Sequence, residues 1–149
     1  MSWSQESRGP FGVPELDPAA VAHVRRLCEA IVESARIGLD PAMLVESLND
    51  CTANDFTADD VLGAAAELGS ETLACLAISP PAPRVEAPLF AWIEMVERIR
   101  EGEDVGFARA WSLELLARAT GRDDCARIVL AKDGRAAGEI VAELFERRV

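Results

Sequence analysis

Asp17-Pro18-Ala19-Ala20-Val21-Ala22-His23-Val24-Arg25-Arg26-Leu27-Cys28-Glu29-Ala30-Ile31-Val32-Glu33-Ser34-Ala35-Arg36 is the stretch that decides the fold class. Asp followed by Pro is a helix start: the carboxylate caps free backbone N–H groups, and Pro at the first helical position gives up an N–H that has no partner there. Ala20, Val21, Val24, Leu27, Cys28, Ile31 and Ala35 then recur at steps of three and four, with Arg25, Arg26, Glu29, Glu33 and Arg36 on the opposite side. That period is an amphipathic α-helix with one face committed to a core. Gly38 stops it.

The same grammar continues downstream. Asp40-Pro41 opens a short helix with Met43, Leu44, Leu48 and Cys51 inward, ending at Asn49-Asp50. Thr57-x-x-Asp60 resembles a capping box with Asp in the place of Glu. Val61, Ala65, Leu68, Thr72 and Cys75 stay in phase across Gly69-Ser70, which favours one helix there over two. Ser79-Pro80-Pro81-Ala82-Pro83-Arg84-Val85-Glu86-Ala87-Pro88 breaks the pattern, because so many prolines forbid a helix and favour a stiff, extended connector. Pro88 opens the next helix, with Leu89, Trp92, Ile93, Val96 and Ile99 as its stripe. Asp104 is placed to cap another, which carries Trp111 and ends at Gly121. A short helix around Cys125, Ile128 and Val129 follows, then a last one from about Arg135, with Arg147 and Arg148 at the negative end of its dipole.

No strand and no repeat of fixed period emerges. The expected fold is all-α: about seven helices in an antiparallel helical bundle, or two small helical lobes joined by a Pro-rich connector. Residues 1–16 read as a flexible N-terminal tail, 17–78 as an acidic N-terminal helical lobe, 79–88 as the connector and 89–149 as a C-terminal helical lobe.

Composition narrows the function classes. The 149 residues are half hydrophobic, enough for a core, and carry a formal charge of −11. Residues 1–79 hold thirteen acids against four Arg, whereas 80–149 hold thirteen against eleven bases. A polyanion is repelled by the first half at long range and a basic protein attracted. All the basic residues but Lys132 are Arg, a bias that points to a high-GC bacterium or its phage. No apolar run reaches the ~18 residues of a membrane span. The N-terminal sequence lacks a basic stretch followed by an apolar one, so the expected location is the cytoplasm. Cys28, Cys51, Cys75 and Cys125 form no CxxC and read mainly as buried free thiols.

Chemistry is sparse. The single imidazole is His23, and no GxSxG elbow supports a nucleophile. Glu29 with Glu33, and Glu97 with Glu101, have helical spacing, but the Glu-x-x-His of di-metal bundles is absent and solvated faces account for them. Asp55, Asp59 and Asp60 fail the calcium-loop spacing. Neither GxxxxGK[ST] nor GxGxxG occurs. No catalytic, cofactor-binding or metal-ligating residue and no cofactor is therefore expected.

Leu116 to Asp124 has the Ala-to-Gly spacing of a helix-turn-helix, followed by two acids that face phosphates unfavourably. Gly121, Cys125-Ala126-Arg127, the Gly134 turn and Ile140-Val141-x-x-Leu144 resemble the second and third helices of ubiquitin-associated-type domains. Ala119-Thr120-Gly121-Arg122 stands where that family has Met-Gly-Phe, and no ligand is carried over.

Surface recognition remains. Trp92 and Trp111 sit on apolar stripes and read as core, whereas Trp3 and Phe11 are aromatics in a tail, placed to dock onto the body or onto a partner. The candidate partner-binding residues are Trp3, Phe11, Asp55, Asp59, Asp60 and Arg84, and a charged groove between lobes is the expected site. The expected function is a non-enzymatic protein-protein interaction module (an adaptor, inhibitor or regulatory subunit) with a basic protein as partner and a homo-oligomer as the other option. The alternative is a helix-turn-helix-like DNA-binding regulator using the Arg-rich C-terminal half, although nucleic acid is the less favoured partner; no membrane partner is expected.

Overall fold

The computed structural model describes residues 11–146. Among them it contains eight helices and no strand: α1 (Pro18–Arg36), α2 (Ala42–Thr52), α3 (Ala58–Leu68), α4 (Ser70–Ile78), α5 (Leu89–Arg100), α6 (Gly106–Thr120), α7 (Cys125–Val129) and α8 (Ala137–Leu144). The all-α reading is correct. The chain forms two compact units, one of residues 14–80 and one of residues 81–146 joined by residues 11–13.

In the first unit α1 is the hub, and α2, α3 and α4 all pack on it. Asp17 is the N-cap of α1 and accepts the Ala19 N–H at 3.0 Å, as the Asp-Pro signal predicts. At α2 the signal is displaced by one residue, since Pro41 holds the N-cap position and Asp40, one residue before it, accepts the Ala42 N–H at 3.0 Å. Val24, Cys28 and Ile31 of α1 meet Val45, Leu48, Val61, Leu73, Ala74 and Ala77 in one core. The inward face of α2 is Val45 and Leu48, with Leu44 half-buried. Met43 is 82% exposed and Cys51 is exposed, a correction to the sequence assignment. Eleven residues give only three turns, too few for periodicity to fix which of two neighbouring faces is buried. Asn49 closes the α2–α3 loop from both sides, accepting the Phe56 N–H at 2.8 Å and donating to its carbonyl at 2.9 Å.

The second correction is at Gly69. Expected to lie within one helix, it separates α3 from α4 with φ 87° and ψ 155°, a region open essentially only to Gly. That break turns seven expected helices into eight.

In the second unit α5 packs on α8 and α6, and α7 bridges α6 to α8. Trp92, Met95, Val96 and Ile99 form the inner face of α5, while Leu89, expected inward, is 52% exposed. The helix begins at Leu89, where the extended connector still sets the direction of the chain. Asp104 does not cap α6: Val105 holds the N-cap position. The Asp104 side chain is instead buried, its carboxylate 3.6 Å from the Arg98 guanidinium. Arg100 donates to the Arg135 carbonyl, and Arg135 pairs with Glu143 at 2.9 Å. The last helix is therefore shorter than expected, starting at Ala137 rather than Arg135. Arg147 and Arg148 lie outside the described residues.

Phe11 and Gly12, inside the expected tail, belong to this second core. Phe11 is 2% exposed, its ring centroid 4.5 Å from that of Trp92, and the Trp92 ring lies 5.4 Å from that of Phe145, the residue that follows α8. The Trp111 Nε1–H donates to the Gly12 carbonyl at 3.2 Å.

Two stability predictions follow from these contacts. Phe11→Ala opens a cavity beside Trp92 and is expected to lower unfolding free energy by about 3 kcal/mol, measured by urea denaturation followed through tryptophan fluorescence; an unchanged midpoint would show that Phe11 is not part of the core. Gly69→Ala meets no atom within 4 Å of its added Cβ, so only backbone strain opposes it. The expected loss is about 1–3 kcal/mol, and a neutral or stabilising result would mean that α3 and α4 join as one helix.

Candidate functional site

The second unit carries a groove of about 810 Å³ built from three segments. One wall is the connector. Residues 80–88 lie outside any helix or strand, with Val85 and Ala87 packed toward the core and Arg84 and Glu86 exposed. Alternation of this kind is that of an extended chain laid against an apolar surface. Arg118 anchors it, donating from Nε to the Ala82 carbonyl at 3.1 Å.

The opposite wall is the α6–α7 turn, residues 119–124. Gly121 ends α6 in the left-handed region (φ 69°), its N–H bonded to the Ala117 carbonyl at 2.8 Å. Thr120 bonds back to the Leu116 carbonyl at 2.9 Å and accepts the Arg122 N–H at 3.3 Å. Arg122 then grips Asp124 with two bonds, Nε to Oδ1 at 2.9 Å and Nη2 to Oδ2 at 2.8 Å. Its remaining nitrogen donates to the Glu143 carbonyl at 3.2 Å, one of the last carbonyls of α8, which lack partners inside the helix. One guanidinium thus fixes the turn and ties it to the C-terminal end of α8, where Leu144, Phe145 and Glu146 complete the groove. At the floor, Trp92 and Leu144 are almost wholly covered, and Val85, Ala87 and Phe145 are half-buried above them.

The Arg122 hydrogen bonds hold the Asp124 carboxyl below the usual carboxylate range, against a smaller effect of burial. The opposite shift, toward a higher pKa, applies to the thiols. Burial pushes Cys28 up to about 11, with Cys51 and Glu29 adding to it. Burial also raises Cys75 and Cys125. Those three sulfurs are thiols at neutral pH, the unreactive form. His23 is exposed on α1 in the other unit. Glu29 and Glu33 are exposed and pair with Arg25 and Arg36. Among the described residues no group of three or more His, Cys, Asp and Glu is placed to hold a metal ion, and no helix is long and apolar enough to cross a membrane.

Of the residues singled out from sequence, Arg84 lines the groove. Phe11 is buried against Trp92, a residue of the groove floor. Asp55, Asp59 and Asp60 are exposed in the other unit and are not part of the groove. Asp60 completes a true capping box, accepting the Thr57 N–H at 2.9 Å while its own N–H donates to the Thr57 hydroxyl at 3.1 Å. Trp3 lies outside the described residues. Arg122, Asp124, Thr120 and Glu86 were not named from sequence as site residues; the one signal was Arg-x-Asp directly after a helix-ending Gly.

Compared with known proteins, the chain matches no family model, no curated sequence and no solved structure.

Because the Asp124 carboxyl titrates lower in the fold than in the unfolded chain, its contribution is complete above the ordinary carboxylate range and lost as pH falls through the depressed value. Asp124→Asn should therefore be less stable than the wild type at neutral pH, with the gap closing in acid. Paired thermal melts from neutral to strongly acidic pH measure this, and a gap independent of pH would remove the Arg122–Asp124 pair as its source.

Proposed function

We propose that the protein is a non-enzymatic protein-interaction module, an adaptor, inhibitor or regulatory subunit, and that the groove of its second unit is where it holds a segment of its partner. The observation that carries this reading is the groove itself. It is large enough for several side chains, apolar at its base and polar at its rim, the arrangement of a recognition site. Its turn wall is fixed in advance by the Arg122 bonds, which lowers the ordering cost of binding.

The lining argues for holding rather than transforming. Among the described residues it contains no His, Cys, Ser or Lys. The hydroxyl of Thr120 is tied into helix capping rather than paired with a base, and a nucleophile without a base is weak. The acidity of the chain supports a basic protein as partner. The Arg bias supports an origin in a high-GC bacterium or its phage, and the cytoplasm is the compartment in keeping with four free thiols.

The helix-turn-helix alternative draws no support from the same region. α7 has five residues, three of them buried. Arg122 and Arg127 both reach Asp124, so phosphate would have to compete with a carboxylate already in place.

The test is capture from a lysate of the source organism with the tagged full chain, treated with nuclease, beside Asp123→Arg at the groove rim and Asp59→Arg in the other unit. The expected result is a discrete partner that survives nuclease, is retained by Asp59→Arg and is lost at least tenfold by Asp123→Arg. Recovery abolished by nuclease would replace this reading with a nucleic-acid one. Equal capture by Asp123→Arg would move the interface away from the groove.

A further inference from the structure

The connector wall has a property that its role as a spacer does not use. Burial alternates along Arg84, Val85, Glu86 and Ala87 as it does along an extended chain, and among the described residues their backbone N–H and C=O groups make no hydrogen bond. Main-chain groups of an extended segment left open along one edge are what a second extended chain pairs with. Prolines at 80, 81, 83 and 88 bracket this run, so both ends are stiff, while each of its four residues carries a backbone N–H, alternate ones pointing to the same edge.

The rim adds a sign. Six charged residues line the groove: Arg84, Glu86, Arg122, Asp123, Asp124 and Glu146. Arg122 and Asp124 neutralise one another through their paired bonds. Glu86, Asp123 and Glu146 are exposed and make no ion pair with a described residue, and among the described lining residues Arg84 is the one cation left to oppose them. The described lining residues therefore carry a net negative charge. At the base, Val85, Ala87 and Phe145 offer half-buried apolar surface packed against the core, with Phe145 against Trp92.

Resting on the reading of the groove as the module's binding site, we propose that its ligand is an extended segment of a protein partner that pairs with the backbone of Arg84–Ala87, places one bulky apolar side chain on Val85, Ala87 and Phe145, and carries Lys or Arg beside that anchor to face Glu86, Asp123 and Glu146. Each part has a separate cause. Backbone pairing supplies affinity without regard to sequence, the anchor supplies buried area, and the flanking cations supply orientation and choice of partner.

The probe is a short fluorescein-labelled peptide with one tryptophan between lysines, compared with a counterpart in which glutamates replace the lysines and another in which alanine replaces the tryptophan. Binding to the full chain is read by anisotropy, and its location by amide shifts and hydrogen exchange in NMR spectra. The lysine–tryptophan peptide should bind about tenfold or more tighter than either counterpart, with a preference over glutamate that shrinks as salt rises. Pairing along one edge engages alternate residues, so exchange should slow at Arg84 and Glu86 or at Val85 and Ala87, not at all four. A Glu86→Lys and Asp123→Lys double variant, with its thermal melt unchanged, should lose the preference for lysine. Equal binding of the glutamate peptide overturns the cationic flank. Binding without alternate protection overturns backbone pairing. No binding by any of the three overturns the proposal. If partner capture in the lysate still depends on Asp123, the interaction module stands while the ligand assignment falls; if capture does not, the groove reading itself fails.

Discussion

Trp92 is the side chain on which the second unit depends. One side of its indole meets Phe11, arriving from the far end of the chain, and another meets Phe145 at the end of α8. Tilted aromatic pairs at these distances add modestly to a large gain from buried area. The arrangement matters more than the sum, because three segments that share no local sequence are brought to one point. Those contacts also back the groove: Phe145 can present a firm half-buried surface only because Trp92 lies behind it. Core and site are therefore one set of contacts seen from two sides, and loosening Phe11 is felt in both.

Arg122 plays the corresponding role for polar groups. A turn between two helices leaves carbonyls behind it and N–H groups ahead of it without partners. Here Gly121, Thr120 and Arg122 take up much of that need within a few residues, and the guanidinium also reaches the end of α8. The side chains of Arg122 and Asp124 are only 23% and 25% exposed, so their mutual bonds are partly shielded from solvent. This is the geometry in which an Arg–carboxylate pair holds its shape: planar, twofold and backed by a third hydrogen bond. A wall built this way keeps its form whether or not anything lies against it.

How much of this was legible depended on the length of each signal. α1 spans nineteen residues, and every apolar position assigned to its stripe is buried or half-buried. α2 and α5 are shorter, and there the inward face was misjudged at Met43 and Leu89, while Met95 went unnamed. Gly69 was read through because the apolar residues around it stayed in phase; a side-chain pattern does not report the backbone angle that broke the helix. Asp104 looked like a cap because caps are the usual work of an Asp before a helix, and its burial beside Arg98 depended on a tertiary partner. The groove was the least visible feature. Arg84 was noticed for its place in the connector, but its facing wall begins at Ala119 and the groove ends at Glu146. No spacing rule joins residues that far apart. Phe11 gave the better clue, since a large aromatic among Gly and Pro has no reason to be there unless it docks.

That docking has a topological consequence. Because residues 11–13 belong with residues 81–146, the acidic helical unit of residues 14–80 is an insertion within the second unit rather than a domain placed before it. Closing a flexible loop costs entropy that rises with its length, and the Gly12–Trp111 hydrogen bond spans 99 positions. The inserted unit has a self-contained core and a hub helix with local partners. When it folds first, the free chain to be closed shrinks to the short pieces on either side of it, and Phe11 can then reach Trp92 at little further cost. The prolines from Pro80 to Pro88 limit the conformations of one of those pieces. The same stiffness that helps the strap find its place also limits the conformations open to residues 84–87, so a single constraint on the connector serves both the closing of the second core and the wall of the groove.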